Sequence, residues 1–145
     1  MSGMNDDTFI GLDVGDRRIG VAVSRLGFMA SPLEVITRDG DEIPRIAALV
    51  AEHEATGVVA GMPFSLDGTL KPQAHKVQAF LDELARALSV PIHTVDERLT
   101  TSQANRVLID AGRRSRERKQ VVDQVAASLI LQTFLDQRAL GGLSA

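Results

Sequence analysis

The order of apolar segments is the feature of this chain that most limits its fold. Residues 9–14 and 19–23 are short apolar runs, and the residues between them are Gly, Asp and Arg, which favour a tight turn. The two runs are therefore predicted to form an antiparallel hairpin. Residues 33–37 predict a third strand, so that the first three strands form a meander.

Helices and strands alternate in the rest of the chain. Apolar residues at helical spacing predict helices over about 42–53, 72–88, 101–111 and 120–138, the last with an inward stripe of Val122, Val125, Ala126, Leu129 and Ile130. Short buried strands are predicted at 58–60 and 92–95, with a loop over 61–70. Strands that alternate with helices pair in parallel through right-handed crossovers. The prediction is an α/β fold with a mixed five-stranded sheet, whose first three strands are antiparallel and whose later strands are parallel, flanked by helices.

The length and composition fit one domain and exclude several kinds of site. A chain of 145 residues with 44% hydrophobic residues can form one ordinary core, so 1–145 is predicted to be a single domain, with residues 1–7 flexible. The absence of cysteine excludes disulfides, thiolate zinc sites and a cysteine nucleophile. Residues 1–7 are polar and acidic, unlike the start of a secretory signal, and no apolar run in the sequence is long enough to cross a membrane. A cytoplasmic location is therefore expected.

The charge of the chain is unevenly distributed. A net charge of −3 argues mildly against nucleic-acid binding, because phosphate neutralisation calls for a basic surface. Five of the 16 Lys and Arg residues, however, lie in one short segment, namely Arg113, Arg114, Arg116, Arg118 and Lys119. This segment connects the last two predicted helices and is a candidate phosphate-binding site. It can also be a solvated loop, or a set of charges that complements a helix dipole.

Asp13 is the one acid in the apolar run of residues 9–14. A carboxylate in a central strand is costly unless something pairs with it, which makes Asp13 a candidate functional residue. The alternative is that its side chain caps the following turn, a common role for Asp beside Gly.

Three further acids stand where a site could form. Asp96 and Glu97 follow the strand predicted at 92–95, and ligands of open α/β sheets bind at strand ends. Strand alternation directs the two acids to opposite faces, so at most one joins a given cluster, and Asp96 can instead pair with Arg98. Asp123 lies beside the inward stripe of the last predicted helix, although an Asp in a first turn can simply stabilise the helix dipole.

Asp13, Glu97 and Asp123 can converge into one set of carboxylates. Hard divalent cations prefer oxygen ligands, and two such ions can activate water and stabilise the leaving oxygen of a phosphodiester. Three acids without cysteine suit Mg²⁺ or Mn²⁺ better than zinc. The three histidines lack paired zinc-ligand spacing, which argues against a zinc hydrolase.

Five groups of residues carry a family resemblance. They are Gly-Leu-Asp-Val-Gly at 11–15, Arg-Ile-Gly-Val-Ala at 18–22, Gly-Met-Pro at 61–63, Asp-Glu-Arg-Leu-Thr-Thr at 96–101, and Lys119 with Asp123, Ala126 and Ala127. In order and spacing, over residues 9–135, they resemble the YqgF/RuvX family of the RNase H-like superfamily. The last two groups are the most specific, because actin-like ATPases and sugar kinases also begin with a strand Asp and a Gly turn. Met62 replaces the usual Leu, a volume-conserving exchange.

The resemblance implies a fold, an activity and a set of site residues. Members are described as candidate Holliday junction resolvases and as nucleases that mature the 5′ end of pre-16S rRNA, with an RNase H-like fold. The metal-binding catalytic acids would be Asp13, Glu97 and Asp123. Arg98 and Lys119 would lie near the substrate phosphates. Asp96 can exchange roles with Glu97, because strand register cannot be read from sequence.

Three functions are compatible with these residues. The first is a metal-dependent endonuclease for branched DNA or precursor rRNA, in which Asp13 bridges two ions while Glu97 and Asp123 complete their ligands. The second is a non-catalytic nucleic-acid-binding adaptor of the ribosome or transcription machinery. The third is an actin-like ATPase or kinase, which would need a second domain or a dimer to enclose a nucleotide. The intact set of acids favours the first, and symmetric cleavage of a junction would also favour a homodimer.

Overall fold

The computed structural model describes residues 7–24, 29–63, 72–97 and 115–144 of the chain. Within these ranges the chain forms five strands and three helices. They are β1 (Phe9–Val14), β2 (Arg18–Ser24), β3 (Ser31–Thr37), α1 (Glu42–Glu52), β4 (Gly57–Met62), α2 (Pro72–Ala87), β5 (Ile92–Asp96) and α3 (Ser115–Ser144). Among the helices so described, none combines the length and the apolar character that a membrane span requires.

The five strands form one mixed sheet in the order β3-β2-β1-β4-β5. β1 pairs antiparallel with β2, with Leu12 opposite Val21, and β2 pairs antiparallel with β3. β4 lies parallel to β1, and β5 lies parallel to β4. The predicted meander followed by parallel strands is confirmed, as is the α/β class. The carboxyl ends of β1, β4 and β5 consequently meet at one edge of the sheet, which we call the carboxyl edge.

Helices α1 and α2 cover one face of the sheet. Ile10 and Leu12 of β1 point to this face, since successive side chains of a strand point to opposite sides. They pack in one core with Ile46 of α1 and Leu84 of α2, and all four side chains are fully buried. Burial of each such side chain contributes about 1.5–3 kcal/mol to stability.

Helix α3 covers the opposite face. Among the side chains of α3 whose burial is described, the buried ones are those of Ala127, Ile130, Leu131 and Leu135. Gly11 allows the helix to approach β1 closely. A Cβ placed on Gly11 would lie 2.8 Å from Cβ of Leu131 and 3.1 Å from the carbonyl oxygen of Ala127. Any larger residue at position 11 would therefore push α3 away from the sheet.

The extent of α3 differs from the prediction. The helix begins at Ser115 rather than at 120, and it ends at Ser144 rather than at 138. Residues 115–140 contain no Gly or Pro, and residues 115–120 consist mainly of Arg, Glu, Lys and Gln, which are good helix formers. Part of the basic segment is therefore helical and does not connect two helices.

The buried stripe of α3 also differs from the predicted one. Ile130 is buried as predicted, whereas Val125, Ala126 and Leu129 are only half-buried, and the side chain of Val122 lies outside those described. The prediction for these half-buried positions was wrong because several apolar stripes are available on this helix. The close approach at Gly11 selects the stripe that contains Leu131.

The remaining differences concern segment ends. Gly61 and Met62 belong to β4 and not to the predicted loop, because β5 continues alongside and pairs Met62 with Asp96. The rest of that loop from residue 64, the helix predicted over 101–111 and residues 1–6 of the predicted flexible segment lie outside the described ranges. Asp7, also predicted to be flexible, forms an ion pair of 2.6 Å with Arg138.

Candidate active site

Asp13 lies on the α3 face of the sheet, close to the carboxyl edge. Phe9 and Gly11 contact α3 from β1, and strand alternation places Asp13 on the same face. Asp13 is half-buried, while its neighbours Leu12 and Val14 belong to the core on the other face. The sequence-based interpretation of Asp13 as a carboxylate within an apolar central strand is confirmed.

The side chain of Glu97 reaches Asp13. Glu97 directly follows β5, and its carboxyl group is hydrogen bonded to that of Asp13. Burial raises the pKa of Glu97 above its ordinary value, the hydrogen bond with Asp13 opposes this rise, and the negative charge of Asp96 adds to it. Two carboxylates this close repel each other unless a proton or a cation lies between them.

Asp96 lies on the opposite face from this pair. The parallel register places it beside Met62, whose side chain packs in the core under α1 and α2. Neighbouring residues in register share a face of the sheet, so Asp96 is directed away from the Asp13 face. The sequence left the roles of Asp96 and Glu97 exchangeable, and it is Glu97 that the fold brings to Asp13.

The turn that follows Asp13 closes through its own backbone. The amide of Gly15 donates a 2.9 Å hydrogen bond to the carbonyl oxygen of Arg18. A Cβ on Gly15 would lie 2.8 Å from the same oxygen, so only glycine fits. The backbone thus closes this turn. Asp13 is hydrogen bonded to Glu97, so its side chain does more than cap the turn.

Glu97 lies directly over Gly61 of β4. A Cβ placed on Gly61 would lie 2.7 Å from Cγ of Glu97 and 2.6 Å from Cδ1 of Ile130. Both separations are far shorter than the roughly 3.5–4.0 Å of favourable carbon contacts. In the sequence, Gly61 is part of a motif and of a predicted loop, and no role was predicted for it. The signal that could have identified its role is a glycine within a fully buried strand.

Helix α3 runs antiparallel to β1. Phe134 packs edge-on against Phe9, with ring centroids 5.1 Å apart. Earlier in the helix, Ala127 lies above Gly11. The amino end of α3 therefore lies toward the carboxyl end of β1.

Asp123 lies on α3, one turn before Ala127 and about 6 Å closer to the amino end of the helix. The path of α3 directs this position toward the end of β1 that carries Asp13. The side chain of Asp123 is outside those described. In the described part of the chain, no three His, Asp or Glu side chains are grouped so that they could hold a metal ion together. The fold thus joins Asp13 with Glu97 and directs the helix of Asp123 toward them.

The predicted phosphate-binding residues fall in two groups. Outside the described ranges lie Arg98, Arg113 and Arg114. In the first two turns of α3 lie Arg116, Arg118 and Lys119, whose side chains are not described. The basic segment therefore leads into the helix that carries Asp123.

Two solved structures share this architecture. RuvC from T. thermophilus, solved in complex with Holliday junction substrate, has a TM-score of 0.56 at 19% identity, over 92% of this chain and 96% of that chain. The fowlpox virus Holliday junction resolvase has a TM-score of 0.53 at 9% identity, over 90% of this chain and 99% of that chain. A five-stranded mixed sheet covered by helices on both faces, with these neighbours, defines the RNase H-like α/β fold.

Sequence comparisons identify the family. The model of the RuvX family, described as Holliday junction resolvase, matches residues 7–137. Relatives from Halothermothrix orenii and Chloroflexus aggregans are each 46% identical, over 88% and 93% of this chain and 93% and 97% of their own length. A relative from Desulforudis audaxviator is 44% identical over 91% of this chain and 96% of its own length. All three carry the curated name of a candidate pre-16S rRNA nuclease.

The chain therefore belongs to the RuvX family, as the resemblance of its motifs predicted. It is a nuclease, a hydrolase that acts on phosphodiester bonds.

Proposed function

We propose that this nuclease cleaves structured nucleic acid with divalent cations, Mg²⁺ or Mn²⁺, held by Asp13, Glu97 and Asp123. The observation that carries the proposal is the hydrogen bond between the carboxyl groups of Asp13 and Glu97. When both groups are ionised they repel each other, and a hard cation with carboxylate ligands relieves that repulsion. A donor set of oxygen atoms without sulfur suits Mg²⁺ or Mn²⁺ better than zinc.

The three acids would divide the binding of two ions. Asp13 from the central strand, Glu97 after β5 and Asp123 from α3 would hold the ions. When bound, such ions supply an activated water and stabilise the leaving oxygen of a phosphodiester. Because Asp13 and Glu97 already contact each other, little rearrangement of these two side chains would be needed.

The basic residues would bind the substrate backbone. They are Arg98, Arg113, Arg114, Arg116, Arg118 and Lys119. Support comes from the course of α3, because its amino end lies within the basic segment and the positive end of a helix dipole attracts phosphate. Binding should weaken as the salt concentration rises.

Precursor 16S rRNA is the substrate that we favour. Relatives that are 44% and 46% identical over about nine-tenths of this chain carry the name of a pre-16S rRNA nuclease. The structural neighbours that act on junctions are less than 20% identical and inform on the fold alone. The description of the family still names Holliday junctions, so branched DNA is the second candidate. Either substrate would be met in the cytoplasm, and a homodimer would suit symmetric cutting of a junction.

Cleavage in the presence of Mn²⁺ tests the proposal. The substrates are a labelled 5′ fragment of precursor 16S rRNA and a labelled four-way DNA junction. The proteins are the wild type, Asp13→Asn and the matched control Asp16→Asn, which makes the same chemical change at a side chain that is 63% exposed on the neighbouring turn. We expect the wild type and the control to cut the RNA, and Asp13→Asn to be folded and inactive.

The other outcomes are also informative. Normal cleavage by Asp13→Asn at matched purity would refute the metal site. Failure of the wild type to cut either substrate, with salt-sensitive binding retained, would favour a nucleic-acid-binding adaptor. Cleavage of the junction alone, by a protein that is dimeric in solution, would replace the RNA with branched DNA as the substrate.

A further inference from the structure

Asp13 and Glu97 meet although their strands are not neighbours. β4 lies between β1 and β5 in the sheet. Adjacent strands are about 4.8 Å apart, which places β1 and β5 roughly 10 Å from each other. A hydrogen bond between the two carboxyl groups therefore requires one side chain to cross over β4.

Glu97 makes this crossing at Gly61. The register pairs Leu12 with Ala60, so the next positions along the two parallel strands are those of Asp13 and Gly61. A Cβ on Gly61 would lie 2.7 Å from Cγ and 3.1 Å from Cδ of Glu97. The side chain of Glu97 thus lies in the space that any other residue at position 61 would fill.

The backbone of Gly61 does not explain why glycine is present. Among the described residues the glycine with a positive φ is Gly40, and Gly61 lies within a regular strand. Its Cβ position is also 2.6 Å from Cδ1 of Ile130, but that atom is the far end of a flexible side chain and can move. The Cγ atom of Glu97 lies in the middle of its side chain, so its displacement would also shift the carboxyl group relative to Asp13.

We infer that Gly61 is a positioning residue of the site, because the space left by its missing side chain is the path by which Glu97 reaches Asp13. The inference rests on the proposed function in one respect, since the pair is proposed to bind metal. Gly61 has no side chain that could bind the metal or the substrate, so it would act through Glu97.

Titration of the metal-free proteins with Mn²⁺, followed by the electron paramagnetic resonance signal of the free ion, tests the inference. Gly61→Ala should weaken Mn²⁺ binding by roughly 10- to 100-fold, the usual range for residues that support metal ligands. Gly57→Ala is the matched control on the same strand and face. Its Cβ would meet the Phe9 ring at 3.0 Å, away from the acids, so its Mn²⁺ affinity should equal that of the wild type.

A second variant separates packing from positioning. Gly61→Ala combined with Ile130→Val removes the Cδ1 atom that the new methyl group would meet in α3. The double variant should regain melting temperature but not Mn²⁺ affinity, because Glu97 remains displaced. Unchanged Mn²⁺ affinity in Gly61→Ala, or recovery of affinity together with stability in the double variant, would overturn the inference.

Crystal structures of the metal-free wild type and Gly61→Ala make the inference independent of metal binding. We expect the hydrogen bond between Asp13 and Glu97 in the wild type and its loss in the variant. A variant that keeps the hydrogen bond would overturn the role of Gly61. If the wild type binds no Mn²⁺, the proposed metal site fails, whereas these two structures still decide the role of Gly61.

Discussion

Arg38 donates a hydrogen bond of 2.9 Å from Nη1 to the carbonyl oxygen of Gly15, two residues after Asp13. The same guanidinium lies 4.8 Å from the centre of the Phe80 ring in α2. Its Nε donates a 3.1 Å hydrogen bond to the carboxylate of Glu42 in α1. Arg38 thus ties the turn at the end of β1 to both helices on that face of the sheet, and it stabilises the end of the strand that carries Asp13.

Replacement of Arg38 by Ala is expected to lower the free energy of unfolding by about 2 kcal/mol, the size of a hydrogen bond that involves a charged group. Urea denaturation followed by circular dichroism measures the loss. Arg45→Ala is the control, because Arg45 pairs with Glu34 at 3.9 Å and both side chains are well exposed. That surface pair should contribute less than about 1 kcal/mol. Equal losses in the two variants would contradict a special role for Arg38.

Burial of Glu97 is expected to make the metal-free protein less stable as the pH rises. The pKa of Glu97 is raised in the folded state above its ordinary value of 4.5, mainly by burial. Below the ordinary pKa, folded and unfolded chains both hold the proton, and burial carries no charge penalty. As the pH rises through the folded-state pKa, the folded protein must ionise a buried carboxyl group, and stability is lost.

Thermal unfolding in a chelator measures this effect by comparison with Glu97→Gln, which mimics the protonated side chain. The variant should be more stable than the wild type near neutral pH and equally stable at acidic pH. Addition of Mn²⁺ should reverse the order near neutral pH, because the amide is a poor metal ligand. Glu52→Gln makes the same chemical change at an exposed position on α1 and serves as the control. A stability difference that is constant with pH would contradict the prediction.

The strands and the position of Asp13 could be predicted because their signals are local. Two short apolar runs and the Gly-Asp turn between them predict the hairpin, and a lone acid in an apolar run is visible without any partner. The contact of Asp13 with Glu97 is different, because it depends on the order of three strands and on the absence of a side chain at Gly61. Arg38 was missed for the same reason, since its hydrogen bond to Gly15 joins distant parts of the chain.

Which stripe of α3 is buried could not be predicted from the sequence, for another reason. The middle of the helix is apolar on several sides, so helical spacing alone cannot select the buried stripe. The selection depends on Gly11, a residue of another element, which admits Leu131 and Ala127. The start of α3 was predicted too late because the basic residues at its amino end were interpreted as a connection between two helices. Arg, Lys and Glu in fact favour helix.

Asp123→Asn is expected to reduce the cleavage rate, because a neutral amide cannot replace an ionised metal ligand. The loss should exceed the roughly 10- to 100-fold effect of removing a residue that only supports a metal ligand. Asp136→Asn is the matched control on the same helix. Asp136 is exposed at the other end of α3 and accepts a 3.0 Å hydrogen bond from Gln132. The cleavage rate and the Mn²⁺ affinity of the free protein should both fall in Asp123→Asn. Neither should change in Asp136→Asn. If Asp123 contributed only to folding, the variant would melt at a lower temperature with normal Mn²⁺ affinity, and the third metal ligand would have to be sought elsewhere.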